Sequence, residues 1–327
     1  MNGSAKSCGK FILIGEHFVV HGNSPAIAFP LKDLWCEVLV ELSPVPRYLA
    51  KYEGVERGNE DEQMIKNLMG RATRAATDAL RISLPAQSLF VQSRTNFPVS
   101  RGFGSSAAFS VALSRALLQF RSQIDKSQWE LTDPHTELTR TASHIEKIFH
   151  GNPSGIDTAV ILTEHGIIFD RADYEKAGKA DRAHNRSVDF VLVDGGSREY
   201  SSQLVERVSA IKNDDQNQWR KFSDRTTQAA KDCIQGLSEN TDSARHRLAL
   251  AIDESQSVLS ELGLSTDKIN GTIMQAKKLG ALSGKVSGAG GGGAVVLLAL
   301  PGEGQTLAQK LRDSNHKVIA VSEVEKS

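Results

Sequence analysis

Two glycine-rich stretches mark where this chain could do chemistry. The first, Pro98-Val-Ser-Arg-Gly102-Phe-Gly104-Ser105-Ser106-Ala-Ala, lies between a segment that reads as a strand and one that reads as a helix. A glycine loop feeding a helix N-terminus aims backbone N–H groups and the positive end of the helix dipole at one spot, which suits a phosphate. Ser105 and Ser106 stand where hydroxyls can cap the helix and also face a bound anion or its metal. No Lys follows the last glycine, so this is not a Walker-type P-loop, and taken alone it reads equally well as a capped turn. The second stretch runs from Val286 to Ala294; seven of the fourteen residues 280–293 are glycine. Glycine at that density needs a reason, either positive φ angles or a close approach of backbone. It runs straight into the apolar Ala294–Leu300, which a flexible linker would not do.

Three charged positions complete the set. Glu146 and His150 are four apart and share one helix face. Asp157 follows a Pro/Gly loop and precedes the apolar Ala159–Leu162; it is paired, functional, or the cap of a following helix. Lys10 opens the apolar run Phe11–Ile14, where a buried cation needs a carboxylate or a phosphate. His17 and His21 have an i, i+4 spacing, but the motif is not His-Glu-x-x-His and no third ligand is evident. They read as the wall of a polar pocket rather than as a zinc pair.

The elements that must position these residues follow from periodicity. Strands are expected at 10–15, 26–29, 35–42, 88–93, 190–193, 285–287, 294–300 and 317–324. Helices are expected at 62–80, 107–119, 135–149, 203–212, 216–237, 243–262, 266–279 and 307–314. Residues 43–60, with Pro44 and Pro46, read as a loop or short hairpin, and 170–186 as a solvated connector.

Composition narrows the function classes. The 327 residues carry 39 Lys+Arg and 39 Asp+Glu, so no basic surplus supports a nucleic-acid partner. The longest apolar run is far short of the ~20 residues a membrane span needs. Three scattered cysteines suit a reducing compartment, no secretory signal is visible at the start, and the final Glu-Lys-Ser is not a peroxisomal signal. A cytoplasmic location is expected.

Taken together, these motifs resemble the GHMP small-molecule kinases. That family has, in this order, a strand with Lys then Gly-Glu-His, a Pro-x-x-x-Gly-Leu-Gly-Ser-Ser-Ala loop, and a late Gly-Ala-Gly-Gly-Gly-Gly loop. The match spans residues 8–294. Gly15-Glu16-His17-Phe-Val-Val-His21-Gly22 and His150-Gly-Asn-Pro-Ser-Gly-Ile-Asp157 are most similar to the branch that phosphorylates mevalonate. Galactokinases instead follow Gly-Glu-His with Asp-Tyr. Three positions depart from the family pattern. Cys8 stands where Pro is usual, Phe103 where Leu is usual, and Asp194 to Tyr200 replace a Lys/Arg-bearing stretch.

The resemblance implies an α+β, two-domain GHMP kinase fold. An N-terminal ATP and catalytic domain over 1–185 would be ribosomal-S5-domain-2-like. A C-terminal domain over 186–327 would be built of ferredoxin-like α/β layers and meet the first across a cleft. It implies transfer of the γ-phosphate of ATP to the C5 hydroxyl of mevalonate, with Mg²⁺ as cofactor, and it allows a homodimer. Thr95, Ser100, Arg101, Gly102, Phe103, Gly104, Ser105 and Ser106 would line the ATP site. Ser106 and Glu146 would hold Mg²⁺, and Asp157 would accept the proton of the attacking hydroxyl. Lys10 would stand beside Asp157 and the γ-phosphate, and His17 and Ser201 would bind the acceptor.

Overall fold

Phe11 to Ile14 are buried without alternation, as in a strand covered on both faces. In the computed structural model they are the far end of a longer strand, β1 (Asn2–Ile14). The model describes all of the chain except residues 23, 56–60, 84–88, 125–132, 178–179, 184–187, 197–200 and 324–327. The two strands expected at 26–29 and 35–42 are one, β2 (Ala26–Leu42). The chain divides into two compact units that interleave in sequence: residues 1–9, 32–100 and 104–164 form the first, and 10–31, 101–103 and 165–327 the second. Both β1 and β2 therefore contribute one half to each unit.

In the first unit, β2 is followed by β3 (Arg47–Tyr52), α1 (Glu62–Ala79) and β4 (Leu89–Thr95). β4 pairs antiparallel with β2 from Cys36 opposite Thr95 to Leu42 opposite Leu89. β3 pairs parallel with β4, so 47–52 is a strand of a β-α-β unit and not the loop or hairpin its prolines suggest. It lies at the sheet edge and is only partly buried, which blurs the alternation that would reveal it. Next come α2 (Ser105–Ile124), α3 (Pro134–His150) and α4 (Ile156–Thr163). Asp133 caps α3, accepting from the N–H groups of His135 and Thr136, with Pro134 in the first turn. Buried Arg121 of α2 is paired with Glu137 of α3 and donates to the Leu80 carbonyl at 3.1 Å, tying the end of α1 to both helices.

The second unit holds β5 (Ile167–Phe169), α5 (Arg171–Ala177) and β6 (Asp181–Arg182), so the stretch expected as a plain connector contains a helix and two paired residues. β5 pairs with the first half of β2. Then follow β7 (Asp189–Asp194), α6 (Ser201–Asp214), α7 (Gln216–Ser238), α8 (Asp242–Glu261), α9 (Asp267–Leu279), β8 (Ser283–Val286), β9 (Ala294–Ala299), α10 (Gly304–Asp313) and β10 (Val318–Glu323). The strand order β10-β7-β9-β8, all antiparallel, is the ferredoxin-like arrangement of a β-α-β-β-α-β chain. Val191, Val193, Val295 and Leu297 on the sheet pack with Leu264, Ile269 and Leu307 from the helices and loops over it.

Residues 10–31 belong to this unit because of their aromatic side chains. Phe11 lies 5.5 Å from Phe29 and 5.2 Å from Phe190, ring centre to ring centre, all three buried. Phe18 stacks on Trp219 at 4.8 Å. Phe11→Ala is expected to destabilise the protein by about 3–5 kcal/mol, read from chemical denaturation, because a rigid three-ring cluster cannot collapse into the void.

Candidate active site

In the first unit a candidate site forms where α2 begins. Ala108 N–H makes the first intrahelical bond, to the Gly104 carbonyl at 2.8 Å. The N–H groups of Ser105, Ser106 and Ala107 therefore precede the helical ladder, a ready cradle for an anion. Upstream, Ser100 holds a left-handed backbone with φ of 59°, and its N–H donates to Ser105 Oγ at 3.3 Å. A non-glycine residue in that conformation is strained, and such strain persists where the surroundings fix it. Thr95 ends β4 and is nearly buried, its Oγ1 accepting from Phe97 N–H at 3.4 Å.

Below this helix start, α3 brings Glu146, which is 2 % exposed. Ser106 Oγ lies 3.5 Å from Glu146 Oε2 and 2.9 Å from His150 Nε2. His150 Nε2 is 3.8 Å from the same carboxylate oxygen, so the shared helix face read from the sequence is real. Ser110, one turn beyond Ser106, has its Oγ 2.8 Å from Glu146 Oε1 and 2.8 Å from the Ser106 carbonyl, with one proton to give to either. The sequence reading missed Ser110, although its i+4 relation to Ser106 was the available signal. A carboxylate and a hydroxyl facing one another are the hard oxygen donors that Mg²⁺ takes, and they leave most of its positions to phosphate and water. The donor set fits the metal. Asp157 lies in the first turn of α4, after a left-handed Gly155 with φ of 93°. Ile156 and Thr158 to Ile161 of that helix are buried, which anchors the turn that carries the carboxylate. Asp157 is thus inside the helix and not its cap.

In the second unit the two glycine stretches meet. A Cβ on Gly102 would lie 3.0 Å from the Ser287 carbonyl, and one on Gly293 would lie 2.6 Å from the Arg101 carbonyl. Gly288 and Gly290 to Gly293 all have positive φ. Close approach and left-handed backbone together account for the run of glycines. Two of its amides are committed internally, Gly291 N–H to Leu264 O at 2.8 Å and Gly293 N–H to Gly196 O at 3.1 Å. The late loop thus backs the segment Arg101–Phe103 instead of cradling phosphate with all its amides. Phe103 is fully buried, the apolar plug its position implies, and its carbonyl accepts from Lys10 N–H at 2.9 Å. Lys10 itself is 3 % exposed. Arg101 NH1 is 3.8 Å from Asp194 Oδ1, a charge pair the sequence did not suggest.

His17 also has a left-handed backbone, φ 65°, and its Nε2 lies 3.1 Å from the Ala289 carbonyl. His21 Nδ1 is 3.0 Å from Lys212 Nζ, and the ring meets Trp219 edge-on. Burial first, then Lys212 and Arg171, hold the His21 imidazole below its usual pKa, so a neutral ring accepts from the lysine. Ser201 is the first residue of α6; its side chain lies outside the described residues.

Helix-terminal N–H groups beside a buried carboxylate and a hydroxyl fit a small-molecule kinase that uses ATP, and likeness to known proteins gives the same class. Two family models match, GHMP kinases N terminal domain over residues 67–165 and GHMP kinases C terminal over 237–317, together more than half of the chain. The chain belongs to the GHMP kinases. It is 26% identical to a mevalonate kinase of Aeropyrum pernix, over 97% of this chain and 95% of that one. It is 29% identical to a mevalonate kinase of Archaeoglobus fulgidus, over 89% and 90%. The fold matches the L. major mevalonate kinase solved in complex with R-mevalonate, with a TM-score of 0.75, 24% identity, and 98% and 97% of the two chains covered. Among the described residues no helix is long and apolar enough to cross a membrane.

Proposed function

We propose that this kinase transfers the γ-phosphate of ATP to the C5 hydroxyl of mevalonate, giving 5-phosphomevalonate. The buried Glu146 facing Ser106 below the start of α2 carries the phosphoryl-transfer half of this reading. The acceptor is supported by near full-length likeness to mevalonate kinases at 26% and 29% identity. Phosphoryl transfer needs positioning and charge neutralisation more than covalent help, and the side chains suit that division of labour.

The N–H groups at the start of α2, with Thr95 and Ser100 to Ser105, hold the nucleotide. Ser106 and Glu146 would hold Mg²⁺, which would supply positive charge to offset that on the phosphates. Lys10 presents a positive charge to the γ-phosphate. Asp157 accepts the proton of the C5 hydroxyl as it attacks. His17 and Ser201 bind the acceptor. A panel of ATP and Mg²⁺ with mevalonate, phosphomevalonate, galactose and homoserine tests the assignment by ADP release. Mevalonate is expected to be turned over at least about 10³-fold more efficiently than the others, because a site built to pair the substrate's polar groups rejects analogues that leave them unpaired. Preference for another acceptor would assign a different branch of the family.

A further inference from the structure

Lys285 is completely buried, and nothing in the reaction above uses it. Its Nζ donates to Glu16 Oε1 and, at 2.5 Å, to the Val286 carbonyl. Glu16 is itself only 5 % exposed, so the two form a buried ion pair. Burial pushes the Lys285 ammonium below the usual lysine range, with nearby Lys10 adding to that, and Glu16 pulls it back up.

The place of Glu16 gives the pair its meaning. It sits in a tight turn between Gly15, φ 99°, and His17, φ 65°, closed by Phe18 N–H to Glu16 O at 2.8 Å and Val19 N–H to Gly15 O at 3.1 Å. Three alternate residues, 285, 287 and 289, grip this turn and the strand that enters it. Ser287 Oγ accepts from Ile12 N–H and donates to Ile12 O, both at 2.9 Å. Lys285 holds Glu16, and the Ala289 carbonyl meets the His17 ring. A left-handed histidine persists only where its surroundings over-determine it, and a buried, three-point attachment does that.

We propose that Lys285 is a positioning residue: through its ion pair with Glu16 it sets the turn that presents the His17 imidazole to the acceptor. This rests on the reading of His17 as an acceptor ligand. Two variants test it. Glu16→Gln keeps the side-chain shape, and the buried Lys285, without its counter-ion, can release its proton. Lys285→Met removes the cation from the other side.

Each is expected to raise the KM for mevalonate about tenfold while the KM for ATP stays within about twofold. In a His17→Ala background Glu16→Gln is expected to add nothing to the mevalonate KM, since the group it positions is gone. Equal changes in both KM values, or effects that multiply in the double variant, would mark the pair as a general fold contact and overturn the proposal. The His17 imidazole resonances give a readout apart from activity. They are expected to shift in Glu16→Gln, and unmoved resonances would overturn the proposal. If His17→Ala leaves the mevalonate KM unchanged, the acceptor reading of His17 fails, and the resonances alone then decide whether Lys285 sets the turn.

Discussion

Asp157→Asn is expected to bind ATP with wild-type affinity and to lose about 10²–10⁴ in kcat, the range that a positioned general base contributes. The substitution is nearly isosteric, and the residue sits partly buried in the first turn of α4. Folding and nucleotide binding should therefore survive. What disappears is an oxygen that can take the proton of the attacking alcohol. Nucleotide titration and single-turnover transfer, measured on the same preparation, separate the two properties. Normal turnover would remove Asp157 from the chemistry, and lost ATP binding would recast it as part of the nucleotide site.

Glu146→Gln is expected to lower kcat by about 10²–10³, the loss seen when one charge-stabilising group leaves a preorganised site. It should also raise the Mg²⁺ concentration needed for half activity by at least about tenfold. Both carboxylate oxygens now face hydroxyls, Oε2 toward Ser106 and Oε1 toward Ser110. An amide keeps one acceptor and turns a donor toward the other hydroxyl, so packing is retained while an anionic metal ligand is lost. A purely structural carboxylate would show the opposite pattern: a lowered melting temperature with an unchanged Mg²⁺ dependence. That result would take Glu146 out of the metal site.

Local signals in the sequence made much of this legible. The i, i+3, i+4 apolar pattern locates α1 and α3, a continuous small, apolar run locates α2, and a glycine loop marks where α2 starts. The i+4 spacing of Glu146 and His150 places both beside Ser106. Partners distant in sequence were not legible. Nothing local says that Lys285 reaches back to Glu16, that Ser287 clasps Ile12, or that Arg101 pairs with Asp194. The late glycines announced a constraint but not its cause, which is the Arg101 backbone lying where a Cβ on Gly293 would be. β3 escaped because a short, half-exposed edge strand just after two prolines carries too little alternation to be seen. The interleaving of the two units escaped for a related reason, since β1 and β2 are each one strand whose halves pack in different units.

The chemical identity of the product tests the central claim most directly. Mevalonate, ATP and Mg²⁺ are incubated with the enzyme and the proton-coupled phosphorus spectrum is recorded. The expected result is a new phosphomonoester split into a triplet by the two protons of the C5 methylene, growing in step with ADP. An uncoupled phosphoester at the tertiary C3 position, or ADP accompanied only by inorganic phosphate, would contradict it.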